Sequence, residues 1–126
     1  MNILKFRAWD IANEEMIDVG CIDFYLNEIK VYDKNQPFFS MYLDDVRLMQ
    51  YTGLKDMDGC EIYEGDIVQY NDGEFSFTGY VQYSVFGWYV VGDDDNYSFV
   101  DFADEIAGIA DVKVIGNIYQ GALKCL

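Results

Sequence analysis

Between Leu48 and Tyr70 the chain reads LMQYTGLKDMDGCEIYEGDIVQY, and no other stretch limits the possible folds as much. Short runs of β-forming residues alternate there with Thr52-Gly53, Asp58-Gly59 and Gly65-Asp66. Glycine takes up positive φ at no steric cost, so the first two pairs are read as the bend between a strand at Leu48–Thr52 and another at Glu61–Tyr63. Gly65-Asp66 opens a strand Asp66–Tyr70, with Asp66 placed to accept backbone N–H groups in an Asx-type turn. This structural use accounts for each polar residue of the stretch; ligand binding is the competing reading of the same residues.

The run LMQYTGLKD, a turn, and then EIYEGDIV resembles the signature of the YopX family of bacteriophage and prophage proteins. Lys5–Asp10, KFRAWD, and Val114–Gln120, VIGNIYQ, flank it in the order and approximate spacing of that family, so the resemblance covers essentially the whole chain. The matching positions are Trp9, Asp10, Tyr51, Thr52, Gly53, Asp56, Gly59, Tyr63, Gly65, Asp66, Gly116 and Asn117, all read as structural. What the resemblance implies is an all-β phage protein of undetermined molecular role. One position departs: family copies usually carry a basic residue after the turn glycine, where this chain has Cys60.

The remaining sequence continues the β pattern. Ile3–Trp9 reads as a strand with Leu4, Phe6 and Ala8 on one side and Ile3, Lys5, Arg7 and Trp9 on the other. A second strand is expected near Met16–Val19, a hairpin of Ile22–Leu26 and Glu28–Tyr32 about Asn27, and a strand Phe38–Leu43 after a break at Pro37. Asp44 or Asp45 is placed to cap one helical turn into Val46–Met49, although the resemblance favours strand from Leu48. Further on, Asp66–Tyr70, Phe75–Val85, Trp88–Val91, Tyr97–Phe102 and Val112–Tyr119 read as strands. Asn71-Asp72-Gly73 supplies the first of their turns, and Ala103–Ala107 is read as a single helical or 3₁₀ turn.

Five such strands suit a small, SH3-like, partly open barrel over residues 51–126, and the family fold resembles that arrangement. Residues 1–50 are then expected to form an N-terminal β-layer packed on it, the whole making a single domain with at most one or two short helical turns. A length of 126 residues is enough for a real core. The 17% aromatic content points the same way, towards strands.

Charge narrows the partners. The net charge is -15, and it is uneven: residues 1–55 hold 9 acids and 6 bases, residues 56–126 hold 14 acids and 2 bases. No Lys or Arg falls between Lys55 and Lys113. Such a field repels phosphate backbones, so direct nucleic-acid binding is disfavoured and a basic partner, or plain solubility, fits better. Three widely spaced cysteines, Cys21, Cys60 and Cys125, with no histidine make a zinc site improbable. Neither a secretory leader nor an apolar run of the roughly 18 residues that span a membrane is present, and the expectation is a reduced protein of the bacterial cytoplasm.

For chemistry the residues offer little. There is no histidine, nucleophile elbow or phosphate loop, so no catalytic residue and no cofactor is assigned. Asp56-Met57-Asp58-Gly59 fails as an EF-hand loop at both ends, since the pattern places Leu54 at its first ligand and Gly65 at its closing glutamate. Asp93, Asp94 and Asp95 make an acidic hairpin tip better read as solvated than as a metal site. Together with Trp88 and Tyr89, which strand alternation sends to opposite faces, they form the candidate interaction surface.

Two functions are compatible with these features. One is a non-enzymatic protein–protein interaction module of a phage or prophage, with an unknown protein partner and possible homo-oligomerisation. The other is an acidic decoy that imitates the charge of DNA to occupy a nucleic-acid-binding protein.

Overall fold

The computed structural model describes residues 4–33, 36–71, 73–74, 76–84, 87–92, 96–98, 103–104, 108–109 and 112–122. Among the described residues the protein is all-β, with two six-stranded antiparallel sheets and a two-stranded ribbon. Its chain divides into two compact units, Ile3–Gln50 and Tyr51–Leu126, the second including Met1–Asn2.

In the first unit, β1 (Phe6–Asp10), β2 (Glu15–Asp23), β3 (Glu28–Asp33) and β4 (Gln36–Tyr42) form a meander. A 3₁₀ turn at Leu43–Asp45 leads into β5 (Val46–Lys55), whose first half returns beside β1 with Phe6 opposite Gln50 and Asp10 opposite Val46. Cross-strand pairing builds the core: Ala8 lies between Ile17 and Leu48, Val31 opposite Val19 and Phe39, Ile29 opposite Ile22 and Met41. Strict alternation would send Val19 and Ile22 to opposite faces. A register shift between Val19 and Cys21 restores both to the core side, which is what a β-bulge does.

Four expectations are corrected here. The second strand does not end at Val19, and the β2–β3 turn is not tight about Asn27: it comprises Phe24–Asn27, because Asp23 pairs with Glu28. The Asp23 carboxylate accepts the N–H groups of Tyr25 and Leu26 at 3.0 Å each, which takes those residues out of the strand, and Asn27 closes the loop at φ 57°. Pro37 is no break. It lies inside β4, at the edge of the sheet, where a residue without an N–H is tolerated. Val46–Met49 is strand rather than helix, and the short turn precedes it without a side-chain cap.

In the second unit, the latter half of β5 pairs with β6 (Glu61–Tyr63), Tyr51 opposite Tyr63 and Lys55 opposite Glu61. The register shifts between those pairs, where Gly53 sits at φ 86°. The strands β7 (Asp66–Asn71), β8 (Ser76–Ser84), β9 (Gly87–Gly92) and β10 (Asn96–Ser98) run as a meander. The ribbon strands β11 (Ala103–Asp104) and β12 (Gly108–Ile109) follow, then β13 (Val112–Asn117) beside β7 and β14 (Gly121–Ala122) beside β13. The strand order is linear, β10-β9-β8-β7-β13-β14, as in a partly open sheet.

Ile62, Val68, Val81, Val90, Val112 and Val114 form the core of this unit, with Tyr70, Phe77 and Trp88 packed against it. The helical turn expected at Ala103–Ala107 is replaced at its start by strand, Ala103 and Asp104 pairing with Ile109 and Gly108. The expected strand Tyr97–Phe102 is described only as far as Ser98.

Candidate functional site

The turn that joins β5 to β6 is organised by one carboxylate. Asp56 is 6% exposed; its Oδ1 accepts the N–H groups of Asp58 at 2.9 Å and Cys60 at 2.8 Å, and its Oδ2 accepts that of Val114 at 2.9 Å. Backbone bonds from Asp56 N–H to the Cys60 carbonyl and from Gly59 N–H to the Asp56 carbonyl close the same loop, and Met57 N–H reaches the Val112 carbonyl. Gly59 takes φ 84° at the reversal. One side chain thus shapes a turn and ties it to a strand 58 residues later. Both its oxygens face the protein's own backbone, so the turn does not present Asp56 as a cation ligand.

Other motif residues are engaged in the same way. Thr52 Oγ1 donates to the Ile62 carbonyl at 2.8 Å and accepts Leu54 N–H at 3.1 Å. Buried Asp66 accepts the N–H of Tyr63, three residues back, at 2.8 Å. Gly65 donates its N–H to the Val81 carbonyl and accepts that of Ile118. Asn117 Oδ1 accepts the N–H groups of Tyr119 and Gln120, and Asp10 Oδ1 those of Ala12 and Asn13. The rings of Tyr51 and Tyr63 pack 5.4 Å apart, Trp9 is buried, and Gly116 lies in β13 opposite Ile67 and Ala122.

Two charged groups at these turns stand apart. Lys113 Nζ approaches the Asp58 carboxylate to 3.9 Å, so a cation sits beside the turn even though Cys60 occupies the position where a basic residue was expected. Both side chains are well exposed, and such pairs stabilise little. Burial pushes the Glu64 carboxyl, in the β6–β7 turn, above its ordinary value.

The proposed interaction surface is split. Trp88 lies on the core side of β9, its ring 4.9 Å from that of Tyr83 in an edge-on contact. Tyr89 points the other way, beside Gln82. On that outer face Ile67, Tyr80 and Val91 stand opposite one another across β7, β8 and β9, with Tyr80 37% exposed. Asp93, Asp94 and Asp95 lie outside the described residues. Among the described residues no group of three or more His, Cys, Asp or Glu side chains is arranged to hold a metal ion.

Cys21 is a free, exposed thiol, whereas Cys60 is disulfide-bonded. The expectation of reduced cysteines therefore fails at Cys60, because spatial approach, which sequence spacing does not reveal, decides pairing. Cys125 lies outside the described residues. Among those residues, no helix is long and apolar enough to cross a membrane.

Sequence reasoning missed the most exposed apolar group among the described residues. Phe24, Tyr25 and Leu26, in the β2–β3 turn, are 79%, 95% and 54% exposed, and Tyr42 on the adjacent strand is 60% exposed. The available signal was three large apolar residues between the turn formers Asp23 and Asn27, which were read as the end of a strand.

Comparison with known proteins places these features in a family. The sequence model described as YopX protein matches residues 5–123. Among solved structures, the crystal structure of protein EF1440 from Enterococcus faecalis is similar in fold: the TM-score is 0.61 at 23% identity, over 95% of this chain and 96% of that one. No curated protein matches the sequence.

Proposed function

The chain belongs to the YopX protein family, and on that footing we propose that it is a phage- or prophage-encoded, non-enzymatic protein-binding module. The observation that carries the reading is the outer face of β7–β9, where Ile67, Tyr80 and Val91 make a row with Tyr89 on the neighbouring diagonal. A β-sheet face with one exposed tyrosine, Tyr80, beside the partly buried Tyr89 offers aromatic contact area at low conformational cost, as protein-binding surfaces do.

Two further features support it. The sequence has no histidine, and the buried carboxylates Asp56 and Asp66 accept hydrogen bonds from backbone N–H groups, so neither faces solvent as an acid–base pair. The decoy reading is weakened by the same two residues: a DNA-like ridge needs its carboxylates outside, and these two acids of the base-free span are buried.

The test is site-specific photocross-linking from position 82, where Gln82 is exposed next to Tyr89. In producing bacteria the expected result is one discrete protein adduct, with another protein or a second copy, that disappears when Tyr80→Ser and Tyr89→Ser are combined. A chain that remains folded yet gives no adduct overturns the assignment of this face.

A further inference from the structure

We propose that the β2–β3 turn is a second contact point, an aromatic knob that enters an apolar pocket rimmed by Lys and Arg on a different protein. The inference rests on the reading of the molecule as an interaction protein and adds the site and the chemistry of the partner. Three consecutive large apolar side chains, Phe24, Tyr25 and Leu26, project at 79%, 95% and 54% exposure. A patch of this kind on an otherwise well-packed protein marks a binding surface more often than a random exposure does.

The knob is held by its own turn. Asp23 Oδ1 accepts the N–H groups of Tyr25 and Leu26, and the Asn27 carbonyl accepts Leu43 N–H at 2.9 Å, which anchors the loop to the 3₁₀ turn. Asn27 is at φ 57°, a conformation asparagine tolerates better than most residues. The backbone that presents the rings is thus shaped before any partner arrives, which lowers the ordering cost of binding.

Charge selects the occupant. The anchoring contact and the pairing of Glu28 with Tyr42 bring Tyr42 and Leu43, the start of the acidic Leu43–Asp45 turn, to the loop. Asp23 and Glu28 flank the knob in the chain, Asp44 and Asp45 follow the Leu43 that bonds to Asn27, and residues 23–28 and 42–45 contain no Lys or Arg. The nearest bases on these segments, Lys30 and Arg47, lie two residues further along their strands.

A bilayer surface is a poor match, since cytoplasmic leaflets are anionic and interfacial anchors use basic collars. A second copy is also a poor match, because it carries the same net charge of -15 and the same acidic collar. A basic-rimmed pocket satisfies both the rings and the carboxylates, and the rim charges steer the encounter.

The experiment places p-benzoylphenylalanine, a photoreactive aromatic residue larger than tyrosine, at position 25 of the full chain in producing bacteria, with the position-82 probe run in parallel. The adducts are mapped by mass spectrometry. Expected is a position-25 adduct to another protein at an apolar surface bordered by Lys or Arg. Its yield should fall at least tenfold with Phe24→Ser plus Leu26→Ser, and severalfold with Asp44→Asn plus Asp45→Asn or with 0.5 M salt in lysate.

An adduct to a second copy, or one indifferent to salt and to the Asp44/Asp45 changes, overturns the proposal. So does sedimentation of the purified protein with phosphatidylcholine–phosphatidylglycerol vesicles that depends on Phe24 and Leu26. A position-82 adduct without a position-25 adduct removes the knob and leaves the interaction reading standing; absence of both removes the two together. All four substituted side chains are exposed or in the turn, and an unchanged circular dichroism spectrum confirms the fold of each variant.

Discussion

At the scale of single residues, buried carboxylates shape the turns of this structure through backbone N–H groups. Asp56 offers two oxygens to three backbone N–H groups, one of them on β13. Hydrogen bonds to a charged acceptor contribute about 1.5–3 kcal/mol each and are not additive. Asp56→Ala is expected to cost about 4 kcal/mol, much of the roughly 5–15 kcal/mol that keeps a small domain folded. In Asp56→Asn one oxygen becomes an NH₂ that faces an N–H whichever way the amide turns, so a loss of about 2 kcal/mol is expected. Urea unfolding checks both: the midpoints should fall in the order wild type, Asn, Ala, with the slope unchanged.

Glu64 works in the opposite sense. Burial raises its carboxyl pKa in the folded chain relative to the unfolded one, so between the two values the folded state holds more protons. Stability then falls as pH rises through that window, and the ionised carboxylate remains a cost at neutral pH. Glu64→Gln should therefore stabilise the protein at pH 8. The gain should shrink as pH is lowered towards the ordinary carboxyl value of about 4.3, and a constant gain across pH would show that charge is not the cause.

At the scale of the element, two glycines separate steric clash from backbone strain. A Cβ on Gly79 would lie 2.3 Å from the Val91 carbonyl oxygen and 2.8 Å from Val90 Cγ1, at the end of the β8–β9 ladder where Gly79 pairs with Gly92. The first of these neighbours is backbone and moves only if the pairing opens. Gly79→Ala is accordingly expected to cost about 3 kcal/mol or more, with amide exchange accelerated at Val81 and Val90. Gly59 has open space around its Cβ position but sits at φ 84°, so Gly59→Ala should cost only about 1–2 kcal/mol. Equal losses at the two sites would contradict the crowding at Gly79.

The same scale shows what was readable in the residues. Turn chemistry was legible at Asp58-Gly59, Gly65-Asp66 and Asn71 to Gly73, because glycine at positive φ and short polar side chains act on their immediate neighbours. The bulge that aligns Val19 with Ile22 was not legible, since it serves packing against Val31 and Ile29 on another strand. Nor was the Asp56–Val114 bond, whose partners are 58 residues apart. The apolar knob was misread for a related reason: Phe24, Tyr25 and Leu26 have strand propensity, and a hydrogen bond to Asp23 overrides it. The motif positions could be located from the sequence, but their mutual contacts depend on the sheet.

For the molecule as a whole, the question is whether its two units fold as one. Each has its own core, Ala8, Ile29, Val31 and Val46 in one, Ile62, Val68, Val81, Val90, Val112 and Val114 in the other. Yet β5 continues without interruption from its pairing with β1 to its pairing with β6. Unfolding either unit removes strand partners from half of this element, and we expect a single cooperative transition. The chain contains two tryptophans, Trp9 in the first unit and Trp88 in the second, so Trp88→Phe leaves a reporter on one and Trp9→Phe a reporter on the other. Within each variant, tryptophan fluorescence and far-ultraviolet circular dichroism should give the same urea midpoint. Low salt is the stringent condition: the unit containing Tyr51–Leu126 carries 14 acids against 3 bases, and self-repulsion weakens it most when screening is least. If the Trp88 signal is lost before the dichroism at low salt and the two coincide again at high salt, charge divides the molecule and β5 does not couple it; coincidence at both establishes that the continuous strand outweighs the charge imbalance.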